Sequence, residues 1–401
     1  MIAVGCDWAR RTHQFVVLSP SNEELACFAV PHRGEGLAQV AEQLRALEPD
    51  PSQIRLAIEG HSGPLMDWLE DQSYAVFSVN PKTSSAARNL LSSSGNKDDK
   101  LDAKALAQLV LLRGSHLTPR GKPLYDRGVI TLVLRQREQR VRARGDLLQH
   151  LSQMLQEWAP ALATLCKDPG LDWTRELLRR WPLERDFVAA DPRTLRAFTA
   201  KLPLRQTTRQ RILEARKTTP LPLRPERLPL LRNEIRSLLT RLDAVIQELR
   251  SLEVDLARLV EADPAHPVLQ TLPGASIVTE AAWLATFAGE TDDWRSASCH
   301  NGTSPVTRAS GCAWGAHCRR SRDPMLQRLI TYHAFQTTQV EGSWAQQTYA
   351  AKRERDKGHY TTLRGVAQRW VKIVHAMLRD NTPYDEATHR QHAKRRFRPA
   401  A

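Results

Sequence analysis

No apolar run in this chain approaches the roughly 20 residues that a membrane-spanning helix requires. The first residues, Met1-Ile2-Ala3-Val4, carry no basic stretch ahead of an apolar core, so a secretory leader is not expected there. No Cys-x-x-Cys pair occurs. The six cysteines, Cys6, Cys27, Cys166, Cys299, Cys312 and Cys318, are scattered, which suits reduced thiols. Cys299-His300, Cys312 and His317-Cys318 are too irregularly spaced for a zinc site. These absences point to a cytoplasmic protein without a disulfide framework. The chain is also short of acid: 44 Asp and Glu face 58 Lys and Arg, a net charge of +14. That excess favours a polyanionic partner, because each neutralised phosphate releases counterions. With no amphipathic lipid-binding segment in evidence, nucleic acid is the expected partner.

At 401 residues the chain has room for two or three domains. Apolar runs at Ile2–Cys6, Gln14–Leu18 and Leu25–Val30 are short and close together, so they predict three strands of an antiparallel meander. A helix over Gly36–Leu47, a strand over Ile54–Glu59, a helix over Gly63–Asp71, a strand over Tyr74–Val79 and helices over Pro81–Leu91 and Lys100–Leu112 complete the first region. This order of elements is that of an α/β ribonuclease H-like domain. Ser92-Ser93-Ser94-Gly95-Asn96 forms a polar loop before an acidic pair.

Four carboxylates stand out in that frame. Asp7 and Glu59 each close a strand, while Asp99 and Asp102 lie three apart at a helix start and so share a face. Carboxylates from separate strands and one helical turn can converge on hard divalent ions. Two ions about 4 Å apart can clamp the attacking and leaving oxygens of a phosphodiester. Asp98 competes with Asp99, being one helical turn from Asp102.

From about Lys122 to Ala262 the chain is helical and rich in arginine. Leu124–Trp158 predicts one long helix carrying Arg135, Arg137, Arg140, Arg142 and Arg144. Prolines between Asp168 and Pro229 predict short helices and loops. Leu231, Ile235, Leu238, Leu242, Val245, Leu249, Leu252, Leu256 and Leu259 then alternate spacings of four and three, a heptad seam that predicts a coiled coil. The seam is to be covered by the Leu124–Trp158 helix, by a second protomer, or by both. Beyond Pro267 the reading is mainly α-helical. It places helices at Val278–Ala288, Pro324–Gln339 and Leu363–Leu378, with a Ser/Gly/Thr-rich loop running to Gly315. The tail from His389 carries five Lys and Arg and no acid. Trp8, Trp283 and Trp294 are assigned to core packing in preference to base stacking.

Two C-terminal motifs remain. Leu272-Pro273-Gly274-Ala275 looks like a helix–hairpin–helix turn, which offers backbone N–H groups to a phosphate, although Ser276 replaces its usual second glycine. Asn301–Gly311 is a small-residue loop in which Ser310, beside Gly311, can present a hydroxyl. A serine attacking phosphorus would conserve the bond energy in a phosphoserine. Ser304 is the competing candidate.

Taken together, Gly5-Cys6-Asp7-Trp8-Ala9, Ile58-Glu59-Gly60, Lys97-Asp98-Asp99-Lys100-Leu101-Asp102-Ala103, Leu272-Pro273-Gly274 and Gly302–Gly311 occur in the order found in IS110 family transposases. The chain resembles that family over nearly its whole length. The resemblance implies a RuvC-like DEDD domain over residues 1–118, a helical coiled-coil region over 119–263, a C-terminal transposase domain over 264–380 and a basic tail over 381–401. It implies excision and integration of an insertion sequence, guided by an element-encoded structured (bridge) RNA that pairs with double-stranded DNA of element ends and target. Asp7, Glu59, Asp99 and Asp102 would hold Mg²⁺, and Ser310 would link covalently to a DNA strand. The site would be composite, in a homo-oligomer that is a dimer and becomes a tetramer in the synapse, working in the cytoplasm on the nucleoid. The region Asp168–Pro229 is longer than the family's compact form. The alternative is a RuvC-like nuclease or Holliday-junction resolvase that uses water as nucleophile. A non-enzymatic nucleic-acid scaffold would make the placement of the four carboxylates accidental.

Overall fold

A computed structural model describes residues 1–59, 64–91, 98–113, 127–288, 293–310, 313–355 and 358–387. The chain divides into two compact units. Unit 1 is Met1–Arg127, Thr286–Gln327 and Thr348–His375, and unit 2 is Gly128–Ala285, Arg328–Gln347 and Ala376–Ala401. Among the described residues no helix is long and apolar enough to cross a membrane.

Unit 1 is built on a five-stranded sheet. Strands β1 (Ile2–Asp7), β2 (Thr12–Leu18) and β3 (Glu24–Pro31) form the expected antiparallel meander. Helix α1 (Gly34–Leu47) leads to β4 (Ile54–Glu59), then α2 (Pro64–Asp71), β5 (Ala75–Val79), α3 (Pro81–Leu91) and α4 (Asp99–Arg113). The spatial order is β3-β2-β1-β4-β5, with β4 parallel to both β1 and β5. This is the mixed sheet expected of a ribonuclease H-like domain.

Alternation sorts the sheet's two faces, as the two-residue period of a strand requires. Ile2, Val4, Cys6, Ile54, Leu56 and Ile58 pack with α1 and α2 residues in one core. Ala3, Ala57, Phe77 and Val79 pack on the other face against Leu106, Leu109 and Val110 of α4. Small residues on this second face let the helix approach closely. A β-carbon at Gly5 would overlap the carbonyl oxygen of Ala103 and lie 2.6 Å from the Ala107 nitrogen. Gly5 is therefore the point at which α4 rests on β1.

Unit 2 begins with α5 (Arg127–Trp158), whose first residue belongs to unit 1. Short helices follow: α6 (Pro160–Leu165), α7 (Asp172–Arg180), α8 (Glu184–Val188), α9 (Pro192–Lys201) and α10 (Gln206–Ala215). The long α11 (Leu228–Ala262) comes next, then α12 (His266–Leu269) and α13 (Ile277–Thr286). The heptad seam lies on α11 as one continuous helix. Its N-terminal half, Ile235, Leu238 and Leu242, is buried in a core shared with Leu151 and Leu155 of α5 and with α6–α10. Arg137 pairs with Glu253 at 2.9 Å and Arg140 with Glu248, so α5 and α11 run antiparallel in the same chain. One of the anticipated coverings of the seam, the Leu124–Trp158 helix, is thus in place.

The C-terminal region departs from the sequence reading chiefly before Gly315, and α12 and the helix Trp344–Glu354 were not anticipated either. The segment expected to be a loop up to Gly315 contains α14 (Trp294–His300) and a two-stranded antiparallel hairpin, β6 (Pro305–Ser310) and β7 (Ala313–Cys318). The physical reason is local. Asp293 caps α14 through the Arg295 N–H at 2.9 Å, and the Asn301 side chain accepts from the Thr303 N–H and hydroxyl at 3.1 and 2.8 Å, which turns the chain into the hairpin. The remaining helices are α15 (Pro324–Thr338), α16 (Trp344–Glu354) and α17 (His359–Asp380). The polar loop at residues 92–96 and the tail from 388 lie outside the described residues.

Candidate active site

The site is assembled by strand register. Asp7 and Glu59 are the last residues of adjacent parallel strands, one step beyond the pair Cys6–Ile58. Asp7 is two residues from Gly5 and Glu59 two from Ala57, so both side chains stand on the face that α4 covers. Ala103 sits over Gly5, while Leu106 and Val110 lie toward Ala3. Helix α4 therefore runs back along β1, with its first turn at the carboxyl end of the strands. That turn carries Asp99 and Asp102. The four sequence-selected carboxylates thus share one end and one face of the sheet.

Their environments differ. Asp7 and Glu59 are half-buried, Asp99 is exposed and Asp102 is buried at 7 % exposure. Asp102 accepts two hydrogen bonds from Arg88 of α3, at 2.8 and 3.1 Å. Both bonds come from Nη1, so one guanidinium nitrogen spans the two carboxylate oxygens and its charge offsets that of Asp102 in this conformation. Arg88 is itself steadied by the Ser85 hydroxyl at 3.4 Å. Asp98 serves the helix instead, since its side chain accepts from the Lys100 N–H at 3.2 Å and caps α4. Lys100 and Lys104 hold Glu24 of β3, at 2.7 and 3.5 Å, and fasten α4 across the sheet. Arg88 was not among the sequence candidates. Its separation from Asp102 by a helix end and a loop gives no periodic signal, and only its position in α3, one strand away, marks it.

Among the described residues no group of three His, Cys, Asp or Glu is gathered closely enough to hold a metal ion. The carboxylates share a location without closing into a cage, and Asp102 is paired with Arg88. The donor set, carboxylate oxygen throughout, suits a hard divalent cation.

Ser310 is the last residue of β6, paired with Ala313 across the hairpin, and Gly311 lies outside the described residues. Ser304 precedes the hairpin at its base, with its N–H bonded to the Ser298 carbonyl at 3.0 Å. The hairpin shares a compact unit with the four carboxylates. The Asn80 amide, one residue past Val79, donates to the Ser321 hydroxyl three residues beyond β7. Since Val79 pairs with Glu59, this contact ties the hairpin's base to the carboxylate end of the sheet. Ser310 lies at the opposite end of the hairpin, about 17 Å along a six-residue strand.

The aromatic assignments divide. Trp283 is fully buried, as expected, but Trp8 is 49 % exposed beside Asp7, against the core role assigned to it. The strand ends at Asp7, so Trp8 leaves the packed layer. Trp294 is half-buried beneath two cations, with Lys372 Nζ 4.0 Å and the Arg295 guanidinium 4.9 Å from its ring. In the Leu272–Ala275 turn, Gly274 adopts φ +73° and the Ala275 N–H returns to the Leu272 carbonyl at 3.0 Å. Ser276 caps the following helix through the Thr279 N–H at 3.3 Å, which is the use this chain makes of the residue replacing glycine.

A ribonuclease H-like sheet with acidic residues at the carboxyl ends of its central strands defines the class of DEDD nucleic-acid enzymes. A transposase family model, that of the IS110 DEDD transposases, matches residues 4–160, and a second, the transposase IS116/IS110/IS902 family, matches residues 266–350. The chain belongs to the IS110 family of transposases. It is 32 % identical to an uncharacterized protein of insertion element IS110 of Streptomyces coelicolor, over 37 % of each chain. It is 30 % identical to a transposase-like protein of Sinorhizobium fredii, over 43 % of this chain and 49 % of the relative, so these two matches span less than half of the relatives' lengths. It is 26 % identical, over 95 % of both chains, to a protein of Streptomyces coelicolor named as a candidate transposase for the IS117 mini-circle.

Proposed function

We propose that the protein is a DNA transposase that excises and integrates an insertion sequence, guided by an element-encoded structured RNA, by Mg²⁺-dependent strand cleavage through a phosphoserine. The observation that carries this reading is the placement of Asp7, Glu59, Asp99 and Asp102 at one end and on one face of the sheet, with Ser310 in the same compact unit. Asp7, Glu59, Asp99 and Asp102 would hold the metal. When bound, Mg²⁺ stabilises charge on the phosphoryl oxygens. Arg88 keeps the buried Asp102 paired and would compete with a cation for that carboxylate.

The serine step balances as a transesterification. The Ser310 oxygen bonds to phosphorus, the bond from phosphorus to one deoxyribose oxygen breaks, and the serine proton passes to a base while the leaving oxygen gains one. The phosphodiester count is conserved, so the later attack of a DNA hydroxyl on the phosphoserine rejoins strands without an external energy source. The protein acts as a homo-oligomer, a dimer that becomes a tetramer in the synapse, with α11 as contact. Base pairing by the guide RNA supplies sequence choice while the basic protein grips the backbone. The domain limits 1–118, 119–263, 264–380 and 381–401 belong to this reading, as does work on the nucleoid in the cytoplasm.

A second reading keeps the carboxylates and drops the serine: a RuvC-like nuclease or resolvase activating water. The position of Ser310 at the far end of the hairpin favours it. A trapping assay separates the two. Protein, Mg²⁺, flanking RNA and labelled donor DNA are resolved on a denaturing gel. A protein–DNA adduct that disappears with Ser310→Ala and with Asp7→Ala is the expected outcome. Cleavage without an adduct, indifferent to Ser310→Ala, would establish hydrolysis.

A further inference from the structure

The helical module Pro160–Arg227 of unit 2 is not required by the chemistry above. It holds fifteen Lys and Arg against eight Asp and Glu, a net of +7, half of the chain's +14 in about a sixth of its length. A basic composition alone says little, because cations are often spent on ion pairs. Here the acids are the ones that are spent. Glu184 accepts from the backbone N–H groups of Ala161 and Leu221, Asp186 pairs with Arg232, Asp172 with Arg175, and Asp191 caps α9 through the Thr194 N–H. In contrast, Arg180, Arg193, Arg196, Lys201, Arg205 and Arg211 are exposed and make no ion pair with any described carboxylate.

These cations are arranged rather than scattered. Helix α9 forms a ridge between two open grooves. Thr194, Ala197, Phe198 and Lys201, at helical spacing, line one groove of about 620 Å³ opposite Arg179, Arg180 and Glu176 of α7. The other face of α9, with Arg196, Thr199 and Ala200, lines a second groove of about 260 Å³ with Arg209 and two glutamines of α10. Both grooves join cations to neutral hydrogen-bond donors and hold a single acid, Glu176, between them. Most large apolar residues of the module pack inward with α5 and α11, Leu171 and Leu221 excepted, so the face around α9 offers mainly charge and polar donors.

We infer that this module is a separate nucleic-acid grip, taking phosphodiester backbone across the α9 ridge. Arg179 is paired with Asp243, but Arg180, Arg193, Arg196 and Lys201 are exposed without an ion pair to a described carboxylate, which suits a repeating anion, and guanidinium groups match phosphate oxygens bidentately. Backbone binding needs neither the serine nor the metal, so the grip stands apart from that chemistry.

The test uses the full chain without Mg²⁺, so that failure of strand transfer cannot affect it. Fluorescence anisotropy would follow binding of a duplex DNA of arbitrary sequence of about 30 base pairs, and of an RNA hairpin with equal phosphate number, across about 50–200 mM salt. The triple variant Arg193→Glu/Arg196→Glu/Lys201→Glu is compared with an equal charge reversal on α11, Arg236→Glu/Arg250→Glu/Arg258→Glu. A glutamine version of the first triple guards against misfolding, checked by thermal melting. The α9 variants are expected to lose about tenfold or more in affinity, and the slope of log K against log salt to fall by about 2–3, near 0.9 per lost phosphate on duplex DNA. Loss on both probes assigns a general backbone grip; loss on one alone assigns DNA or RNA, respectively. Unchanged slopes on both probes, or an equal loss in the α11 variant, would overturn the inference.

Discussion

The carboxyl end of the unit 1 sheet and the α9 ridge of unit 2 treat charge in opposite ways. At the sheet end, Asp102 is buried and held by two bonds from Arg88, and its neighbours Asp7 and Glu59 are half-buried. On the ridge, the acids are consumed by caps and ion pairs while Arg193, Arg196 and Lys201 stand in solvent. On the function proposed above, the difference would follow from what each charge must do. A carboxylate that positions a cation has to be fixed, and fixing it out of water leaves it costly unless it is paired. A cation that grips a sliding polyanion has to be accessible, and exposure removes that cost. The same contrast exists within the basic residues. Arg137 and Arg140 on α5 are matched to Glu253 and Glu248 of α11, so they hold helices together, whereas Arg193, Arg196 and Lys201 of α9 pair with no carboxylate among the described residues.

The largest expected effect lies at the sheet end. Asp102→Asn removes a charge while keeping the shape, and strand cleavage is expected to fall by about 10²–10³-fold, the scale of losing one preorganised electrostatic group. Duplex binding without Mg²⁺ should stay within about twofold, as expected for a surface not involved in the grip. Parallel anisotropy and cleavage measurements check both halves. Equal losses in the two would erase the division of labour. Gly5→Ala comes next. The added methyl meets the backbone of α4 at Ala103 and Ala107, so the helix must lift from β1, at about 1–3 kcal/mol or more. Thermal melting would register the loss, and the salt slope of nucleic-acid binding should be unchanged.

Arg88→Ala sharpens the comparison further. It leaves the buried Asp102 without its cation, with an expected loss of about 1–3 kcal/mol in metal-free buffer. If the carboxylates hold Mg²⁺, the added ion should restore more stability to this variant than to the parent, since Arg88 no longer competes. A thermal-shift titration with Mg²⁺ reads the difference directly. A smaller Mg²⁺ response in the variant would mean that Arg88 supports the site rather than guards it.

Much of unit 1 was legible because its signal is local and periodic. Strand β1 alternates Ala3, Gly5 and Asp7 on one face with Ile2, Val4 and Cys6 on the other, and β4 repeats the pattern to Glu59. The Asp-Asp-Lys start of α4 announced a helix start, and Asp98 is its cap. The β6–β7 hairpin was not legible. Its second strand, Ala-Trp-Gly-Ala-His-Cys, has no β-branched residue, and its pairing is set by the Asn301 turn and by Gln327, which reaches the Gly302 carbonyl at 3.1 Å and Cys318 Sγ at 3.2 Å. Such side-chain bonds carry no period. For the same reason the role of Arg88 was invisible, since it depends on where α3 and α4 meet. The heptad residues lie along the single helix α11, but a heptad cannot say who covers it, and α5 of the same chain covers part of it.

The smallest effect tests the paired cations themselves. Arg140 is 42 % exposed and its partner Glu248 51 % exposed, so the pair is a surface one. Arg140→Ala should cost below about 1 kcal/mol, because solvent screens the attraction and ordering two long side chains offsets much of it. Its effect on duplex affinity should also be smaller than that of Arg196→Ala, although each removes one positive charge. Glu248 already neutralises Arg140, so a phosphate gains little from it, whereas Arg196 has no carboxylate to satisfy it. Single-variant binding isotherms at one salt concentration decide the matter. Equal losses would mean that the protein reads as a uniform cloud of charge, and the distinction between cations that brace helices and cations that grip backbone would fail.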